Sequence, residues 1–288
     1  MTTPYPIYEF DPRPNDSRPV LHLAHANGFP PETYAPLAHY LADKFRVVML
    51  PARPLWPDPP PPESLTSWHV MADDLIGGIE QHQLGPVIGA GHSMGGTASM
   101  FASIKRPDLF LALVLIDPVI LPRPLLRLLD RARKVDPEAT LPLTQMALRR
   151  RRQWDSRDEA VSRFRKNPLF ARWPDDTIRA YVDGLTRPIP HANGAIELRY
   201  SPEWEARIYN HVPVDAWHMA LNIQHPTLVL QGAETDTFTD KSKLLLQRIR
   251  PDIPIMTLAQ TGHLLPMETP QLVAEEMLTF VENRVRIA

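Results

Sequence analysis

Short apolar runs bounded by Gly or Pro alternate along the chain with longer segments of helical periodicity. This pattern is typical of buried strands joined by crossover helices. The predicted strands are Val20–Leu23, Arg46–Leu50, Val87–Ala90, Leu111–Ile116, Thr227–Leu230 and Ile255–Leu258, with Ile7–Phe10 as a possible edge strand. The predicted helices are Thr33–Ala42, Trp68–His82, Met94–Lys105, Lys241–Ile249 and Pro270–Val285. The strands are almost continuously apolar, which predicts burial on both faces and therefore a mostly parallel, doubly wound α/β sheet.

The alternating pattern stops between residues 122 and 220. This stretch is helical in composition and rich in Arg and Trp, and it carries a net charge of +5, against −7 for the rest of the chain. A shift of this kind indicates an inserted subdomain. We therefore expect an α/β core made of residues 1–121 and 221–288, interrupted by a helical cap at residues 122–220.

Composition and charge exclude several classes of protein. The chain of 288 residues contains no cysteine, so disulfides, Cys-based metal sites and a thiol nucleophile are excluded. The formal net charge of −2 argues against a nucleic-acid partner, because such proteins are usually strongly basic. No His pair has H-E-x-x-H spacing, and we expect neither metal nor cofactor.

The cellular location can be predicted only from missing signals. Met1–Pro14 does not resemble a secretory signal, and the longest apolar run, Phe110–Ile116, is far shorter than the roughly 20 residues of a membrane span. We expect a soluble, cytoplasmic protein, either a monomer or a homodimer.

The strongest chemical signal is the sequence Gly91-His92-Ser93-Met94-Gly95. It follows a predicted strand and opens a predicted helix, and its glycines permit a sharp turn that exposes the Ser93 hydroxyl. The N-terminus of the following helix directs its N–H groups toward the same point, where a developing oxyanion would be stabilised. Ser93 is therefore the candidate nucleophile, and the alternative is a turn that contains an incidental serine.

A serine nucleophile needs a base, and the base needs a carboxylate. His263, between the last strand and the final helix, is the candidate base. Asp236, in the loop after Thr227–Leu230, is the preferred acid; Glu234 in the same loop and Asp117 after Leu111–Ile116 are alternatives. We expect Asp117 to fix the start of the cap.

The loop His25–Pro30 follows the first buried strand. It is placed to supply the Phe29 N–H as one donor of an oxyanion hole, with the Met94 N–H as the other. The alternative is a plain turn, which Asn27-Gly28 would form in any protein.

The order of elbow serine, acid and histidine, with a helical insertion, resembles the α/β-hydrolase superfamily. Gly-His-Ser-Met-Gly-Gly and Thr-Gly-His-Leu-Leu-Pro-Met-Glu are close to its motifs, and the resemblance extends from Val20 to the C-terminal helix. The chain departs from many members in two loops: Pro51-Ala52-Arg53-Pro54 replaces an Asp-x-x-Gly pattern, and Thr235-Asp236 places the acid one position late. The resemblance implies a serine hydrolase.

The cap suggests the substrate. Aromatic residues between Phe164 and Trp217 provide apolar surface for a pocket over Ser93. The basic run Arg149–Arg152 is expected on the solvated face of a cap helix, or else attracts an anionic substrate. We expect an esterase or lipase-like enzyme for a small apolar ester or acyl substrate. A C–C bond hydrolase and a slow, ligand-sensing member of the fold are the alternatives.

Overall fold

The computed structural model describes residues 5–136 and 140–285. The strands in these residues are β1 (Tyr8–Glu9), β2 (Val20–Ala24), β3 (Arg46–Met49), β4 (Val87–His92), β5 (Phe110–Ile116), β6 (Gln153–Trp154), β7 (Thr186–Pro188), β8 (Ile196–Leu198), β9 (Thr227–Gly232) and β10 (Ile255–Leu258). The α-helices are α1 (Ala35–Leu41), α2 (Trp68–Gln81), α3 (Met94–Lys105), α4 (Arg123–Val135), α5 (Pro142–Leu148), α6 (Arg157–Arg165), α7 (Asp175–Leu185), α8 (Pro202–Asn210), α9 (Ala216–Ala220), α10 (Asp240–Ile249), α11 (Leu265–Glu268) and α12 (Pro270–Arg284).

Seven strands form the main sheet in the order β1-β3-β2-β4-β5-β9-β10. All neighbouring pairs are parallel except β1 and β3, which pair antiparallel at the edge. The central strands β4 and β9 are buried at every position, which explains their continuous apolar sequence. The predicted mostly parallel, doubly wound sheet is confirmed.

Parallel pairing brings the carboxyl ends of β2, β4, β5 and β9 to one edge of the sheet. The residues that follow these ends are Ser93 after β4, Asp117 after β5, and the loops that begin at His25 and Ala233. Doubly wound sheets place their ligands at this edge. The fold therefore gathers the predicted chemistry in one place.

Residues 122–220, which we call the cap segment, contain α4–α9. They also contain a three-stranded antiparallel sheet in the order β6-β8-β7, which the expectation of a helical cap did not include. Its strands have only two or three residues, and Trp154 and Ile196 pack with Ala160 and Val182 in a small separate cluster. Strands this short carry too little periodicity to be recognised in the sequence.

Two properties of the described residues bear on the sequence predictions. No helix among them is long and apolar enough to cross a bilayer. Within the same residues, no group of three or more His, Asp or Glu side chains is arranged to hold a metal ion.

Candidate active site

Ser93 lies in a strained turn between β4 and α3. Its φ of 56° is in the left-handed region, which non-glycine residues rarely adopt. The turn requires glycine at its flanks, since a Cβ on Gly95 would lie 2.3 Å from the carbonyl oxygen of Ala24 and one on Gly91 would lie 2.5 Å from the carbonyl of Gly95. The sequence therefore folds into the sharp strand-to-helix turn that its glycines predicted.

Ser93, His263 and Asp117 form a continuous hydrogen-bonded chain. The Ser93 Oγ lies 2.9 Å from His263 Nε2, and His263 Nδ1 lies 2.6 Å from Asp117 Oδ2. Because a carboxylate can only accept, Nδ1 carries the proton and Nε2 is left to accept the Ser93 hydroxyl proton. The imidazole thus has the tautomer and orientation of a base directed at Ser93.

Asp117 is fully buried and surrounded by donors. Its Oδ1 accepts from the Gly232 N–H at 3.2 Å, and its Oδ2 accepts from the Thr235 hydroxyl at 2.5 Å as well as from His263. Its backbone is also in the left-handed region, with φ of 44°. A buried carboxylate with three donors is held in one geometry, which is what an orienting acid requires.

Asp236, the preferred acid of the sequence analysis, does not contact His263. It is exposed, and among the described residues its carboxylate accepts only from the neighbouring Thr237 hydroxyl at 3.3 Å. The expectation that Asp236 orients His263 is wrong, because the chain after Gly232 turns toward solvent. Thr235 occupies the position where many α/β hydrolases have their Asp, and it donates to Asp117 instead.

Glu234 is also excluded as the partner of His263. Its carboxylate pairs with Arg172 of the cap segment, and both side chains are about half exposed. The Arg172 guanidinium further donates to the Gln260 carbonyl at 3.1 Å and lies 3.6 Å from Glu268. Glu268 in turn accepts from the Gly262 N–H at 2.8 Å. Arg172 therefore ties the cap segment to the loop that carries His263.

His92 is fully buried inside the turn, where both of its ring nitrogens are hydrogen-bonded. The buried Tyr34 hydroxyl accepts from the Ala26 N–H at 2.9 Å and donates to His92 Nδ1 at 2.8 Å. His92 Nε2 then donates to the His263 carbonyl at 2.8 Å. Burial lowers the pKa of His92 well below its usual value, and the nearby His263 ring lowers it further, so His92 is neutral.

Of the two predicted oxyanion donors, one N–H is available to a ligand and the other is already hydrogen-bonded within the protein. Met94 is the first residue of α3, so its N–H is outside the i→i−4 ladder of the helix and is available to a ligand. The Phe29 N–H instead donates to the Ala26 carbonyl at 3.2 Å, closing a turn in which Gly28 has a φ of 78°. Phe29 can serve as a donor only if this turn bond is exchanged.

The cap segment binds the loop at Asn27 through hydrogen bonds. The Tyr200 hydroxyl donates to Asn27 Oδ1 at 2.9 Å, and Asn27 Nδ2 donates to the Glu205 carbonyl at 3.0 Å. The Glu205 carboxylate pairs with Arg150, which also donates to the Tyr181 hydroxyl at 2.8 Å. Both polar atoms of the Asn27 side-chain amide are thus bonded to the cap segment.

The basic run Arg149–Arg152 is not the face of a helix. Helix α5 ends at Leu148, and the run crosses a turn into β6. Arg151 pairs with Glu159, Arg152 with Glu203 and Arg150 with Glu205. Three of the four cations are therefore neutralised by separate carboxylates, a pattern that spacing along the sequence could not show.

Four aromatic residues of the cap segment, Phe164, Phe170, Trp173 and Tyr181, form a cluster next to the loop at Phe29. The Phe29 ring lies 5.5 Å from Tyr181 and 6.0 Å from Trp173, measured between ring centroids. Phe164 and Phe170 complete the cluster, with Phe170 at 4.8 Å from Trp173. Ser93 itself is only 8% exposed.

Sequence reasoning missed Tyr34, Thr235 and Tyr200. Each acts through its hydroxyl on a residue distant in the chain, so no local motif identifies it. Only Thr235 had a detectable signal, because it replaces the Asp of the related motif one position before Asp236.

Comparisons with known proteins place this geometry in a family. The model of the alpha/beta hydrolase family matches residues 21–276. A relative from Alternaria alternata, the abhydrolase domain-containing protein AFT2-1, is 28% identical over 237 residues. The match covers 70% of this chain and 86% of the relative. The 2-(acetamidomethylene)succinate hydrolase of Mesorhizobium japonicum is 22% identical over 273 residues, covering 94% and 90%.

Solved structures share the fold across nearly the whole chain. The crystal structure of E-2-(acetamidomethylene)succinate hydrolase aligns with a TM-score of 0.76 at 21% identity, covering 96% of this chain and 94% of that chain. A marine microorganism esterase aligns with a TM-score of 0.65 at 20% identity, covering 97% and 100%. The chain belongs to the alpha/beta hydrolase family.

Proposed function

We propose that this chain is a serine hydrolase in which Ser93 attacks a carbonyl carbon, His263 accepts the Ser93 proton, and Asp117 stabilises the resulting imidazolium. The observation that carries the proposal is the hydrogen-bonded chain from Ser93 Oγ through the His263 ring to Asp117 Oδ2. The Met94 N–H, joined by a second donor from the loop at Phe29, stabilises the tetrahedral oxyanion. His263 then returns its proton to the leaving group, and water releases the acyl group from Ser93.

The favoured substrate is a small carboxylic ester with an apolar acyl group. A narrow cavity of about 30 Å³ lies against Met94 and Gly95, the two residues after the nucleophile. Its walls are mostly apolar and include Leu50, Met71 and Leu75. Because apolar groups gain free energy on leaving water, such walls favour an apolar acyl chain. The fold similarity to an esterase is consistent with this choice.

A second candidate is hydrolysis of an acylated small molecule that bears a carboxylate, as the name of the similar succinate-derivative hydrolase suggests. The observation that favours it is Arg150, whose Nη1 would lie 3.3 Å from a Cβ on Gly28. This cation contacts the loop at Phe29, although Glu205 already pairs with it. C–C bond hydrolysis and ligand sensing without turnover remain alternatives.

Labelling with a fluorophosphonate tests the nucleophile, since the probe reacts with activated serines. We expect labelling of the wild-type protein and none of Ser93→Ala or His263→Ala, with Ser99→Ala, a buried serine of the same helix, as the matched control. Labelling that persists in Ser93→Ala would overturn the assignment. Turnover of neutral esters, acidic esters, amides and a 1,3-diketone then separates the candidate reactions, and labelling without turnover of any substrate would favour the sensing member.

A further inference from the structure

The outward face of α4 carries an apolar stripe that the fold leaves uncovered. Leu125, Leu128 and Val135 are 41%, 63% and 87% exposed, and Ala132 between them is exposed as well. At 100° per residue these four side chains fall within an arc of about 80°. The opposite face packs inward through Leu126, which is buried. The stripe is therefore a surface feature of the folded protein, separate from its core.

A row of cations lies beside this stripe. Arg123, Arg127, Arg131 and Lys134 fall within an adjacent arc of about 80° on the same helix. Lys134 pairs with Asp130 at 2.7 Å, and Arg123 stacks over the Trp217 ring at 5.6 Å. Among the carboxylates of the described part of the chain, none lies within ion-pair distance of Arg127 or Arg131. Within the described residues, the row thus keeps two guanidinium groups that have no ion-pair partner.

Further basic and apolar side chains are exposed around α4. Arg123 and Arg127 line an open groove of about 440 Å³ together with Asp130, Val214 and Trp217. The neighbouring helix α5 exposes Leu143 and Met146, at 51% and 66%.

The same residue fixes both helices, since Asn210 accepts from Arg133 through its carbonyl and from Thr144 through its side chain. Two adjacent helices of the cap segment therefore expose apolar side chains close to a basic groove.

We propose that α4 docks the cap segment on an anionic phospholipid surface, lying in the plane of the interface. An amphipathic helix with an apolar stripe and a basic flank buries the stripe at the level of the acyl chains and places its cations among the headgroups. The charge distribution supports this orientation, because the cap segment has a net charge of +5 and the remainder has −7. The core is thereby repelled from the surface that attracts the cap segment.

A second copy of this chain fits the stripe less well. Antiparallel two-fold pairing about the stripe would place the Arg127 and Arg131 side chains of one copy close to the same side chains of the other. Like charges at short distance oppose such a contact, whereas anionic headgroups neutralise them. Charge complementarity thus selects the lipid surface. This proposal concerns binding and does not depend on the hydrolase activity.

Co-sedimentation with vesicles tests the proposal. The probes are vesicles of phosphatidylcholine alone and vesicles with about 30% phosphatidylglycerol, at low and at physiological salt. We expect binding only to the anionic vesicles, and weaker binding as salt rises, because salt screens the attraction. Leu128→Glu should lower the partition coefficient at least tenfold. Leu244→Glu, which alters a side chain 66% exposed on α10 of the core, should leave it unchanged.

Further variants and readouts separate the possible outcomes. Arg127→Gln with Arg131→Gln should remove the preference for anionic vesicles, while circular dichroism and turnover of a soluble ester stay at wild-type values. Equal binding to both vesicle types, or undiminished binding of Leu128→Glu, would overturn the proposal. A dimer in solution that Leu128→Glu dissociates, without vesicle binding, would assign the stripe to a second copy instead.

Discussion

The ring of His92 is bonded to the backbone of His263: Nε2 of the first donates to the carbonyl oxygen of the second at 2.8 Å. Through Tyr34 the same ring is linked to the Ala26 N–H, in the loop that leads to Phe29. One buried chain of hydrogen bonds therefore connects the loop of the proposed base with the loop of the proposed oxyanion hole. Its members are neutral, so it fixes positions without adding charge near Ser93.

Tyr34→Phe should weaken this connection. The change leaves the Ala26 N–H and His92 Nδ1 without a partner, at a cost of about 1–3 kcal/mol in the free energy of unfolding. We expect kcat for an activated ester to fall by roughly tenfold, equivalent to about 1.4 kcal/mol, with little change in KM. Tyr40→Phe, at a side chain 44% exposed, is the control. A Tyr34→Phe enzyme that is less stable but keeps its kcat would show that this series of hydrogen bonds has only a structural role.

Asp117→Asn should be far more damaging than Asp236→Asn. An amide cannot hold the His263 tautomer that leaves Nε2 free to accept the Ser93 proton, so kcat should fall by roughly 10⁴-fold. Asp236 is exposed and its carboxylate is bonded to Thr237, away from His263. The Asp236→Asn variant should therefore keep kcat within about twofold of the wild-type value. Turnover of one activated ester by both variants, with circular dichroism to confirm folding, decides the matter. The reverse order of losses would return the acid to the loop after β9.

Tyr200→Phe tests whether the cap segment positions the loop at Asn27. Loss of the bond to Asn27 Oδ1 should loosen the turn that ends at Phe29, and so reduce stabilisation of the oxyanion more than substrate binding. We expect a boronic acid that mimics the tetrahedral intermediate to bind roughly tenfold more weakly, while KM changes less than twofold. Parallel losses in inhibitor affinity and in 1/KM would contradict this role.

Buried histidines should make the fold sensitive to mild acid. Burial lowers the pKa of His22 and of His25 to about 4, from 6.5. The unfolded chain therefore binds protons that the folded chain does not. Stability is full above about pH 6.5 and declines as pH falls toward 4, by up to roughly 3 kcal/mol for each histidine.

Urea unfolding at pH 7.5 and pH 5 measures this decline. His22→Gln removes one titrating group and keeps an acceptor for the Leu50 N–H, which now donates to the ring at 3.3 Å. The variant should lose less stability than the wild type over the same interval. Equal losses in the two proteins would show that His22 contributes nothing to the acid sensitivity.

Local patterns in the sequence were sufficient to predict the turn that carries Ser93 and the position of His263. Gly91-His92-Ser93-Met94-Gly95 predicts a strand, a sharp turn and a helix, because each step depends on neighbouring residues: apolar positions in β4, glycines that fit the turn, and the start of α3. Met94–Lys105 and Ile255–Leu258 have the predicted bounds for the same reason. The position of His263 between the last strand and the final helix is equally a matter of chain order.

The choice of acid was decided only by tertiary structure. Asp117 and Asp236 both follow strands that end at the same edge of the sheet, so chain order could not separate them. The pairing of β5 with β9 brings Gly232 and Thr235 onto Asp117 as donors, whereas Asp236 lies one residue further on, where the loop has reached solvent. Likewise Arg149–Arg152 suggested a helix face, yet the last three cations pair with carboxylates on two other helices, Glu159 on α6 and Glu203 and Glu205 on α8. Which carboxylate pairs with a given cation or histidine depends on the side chains that come close together in the folded protein. The spacing of residues along the chain does not give those distances.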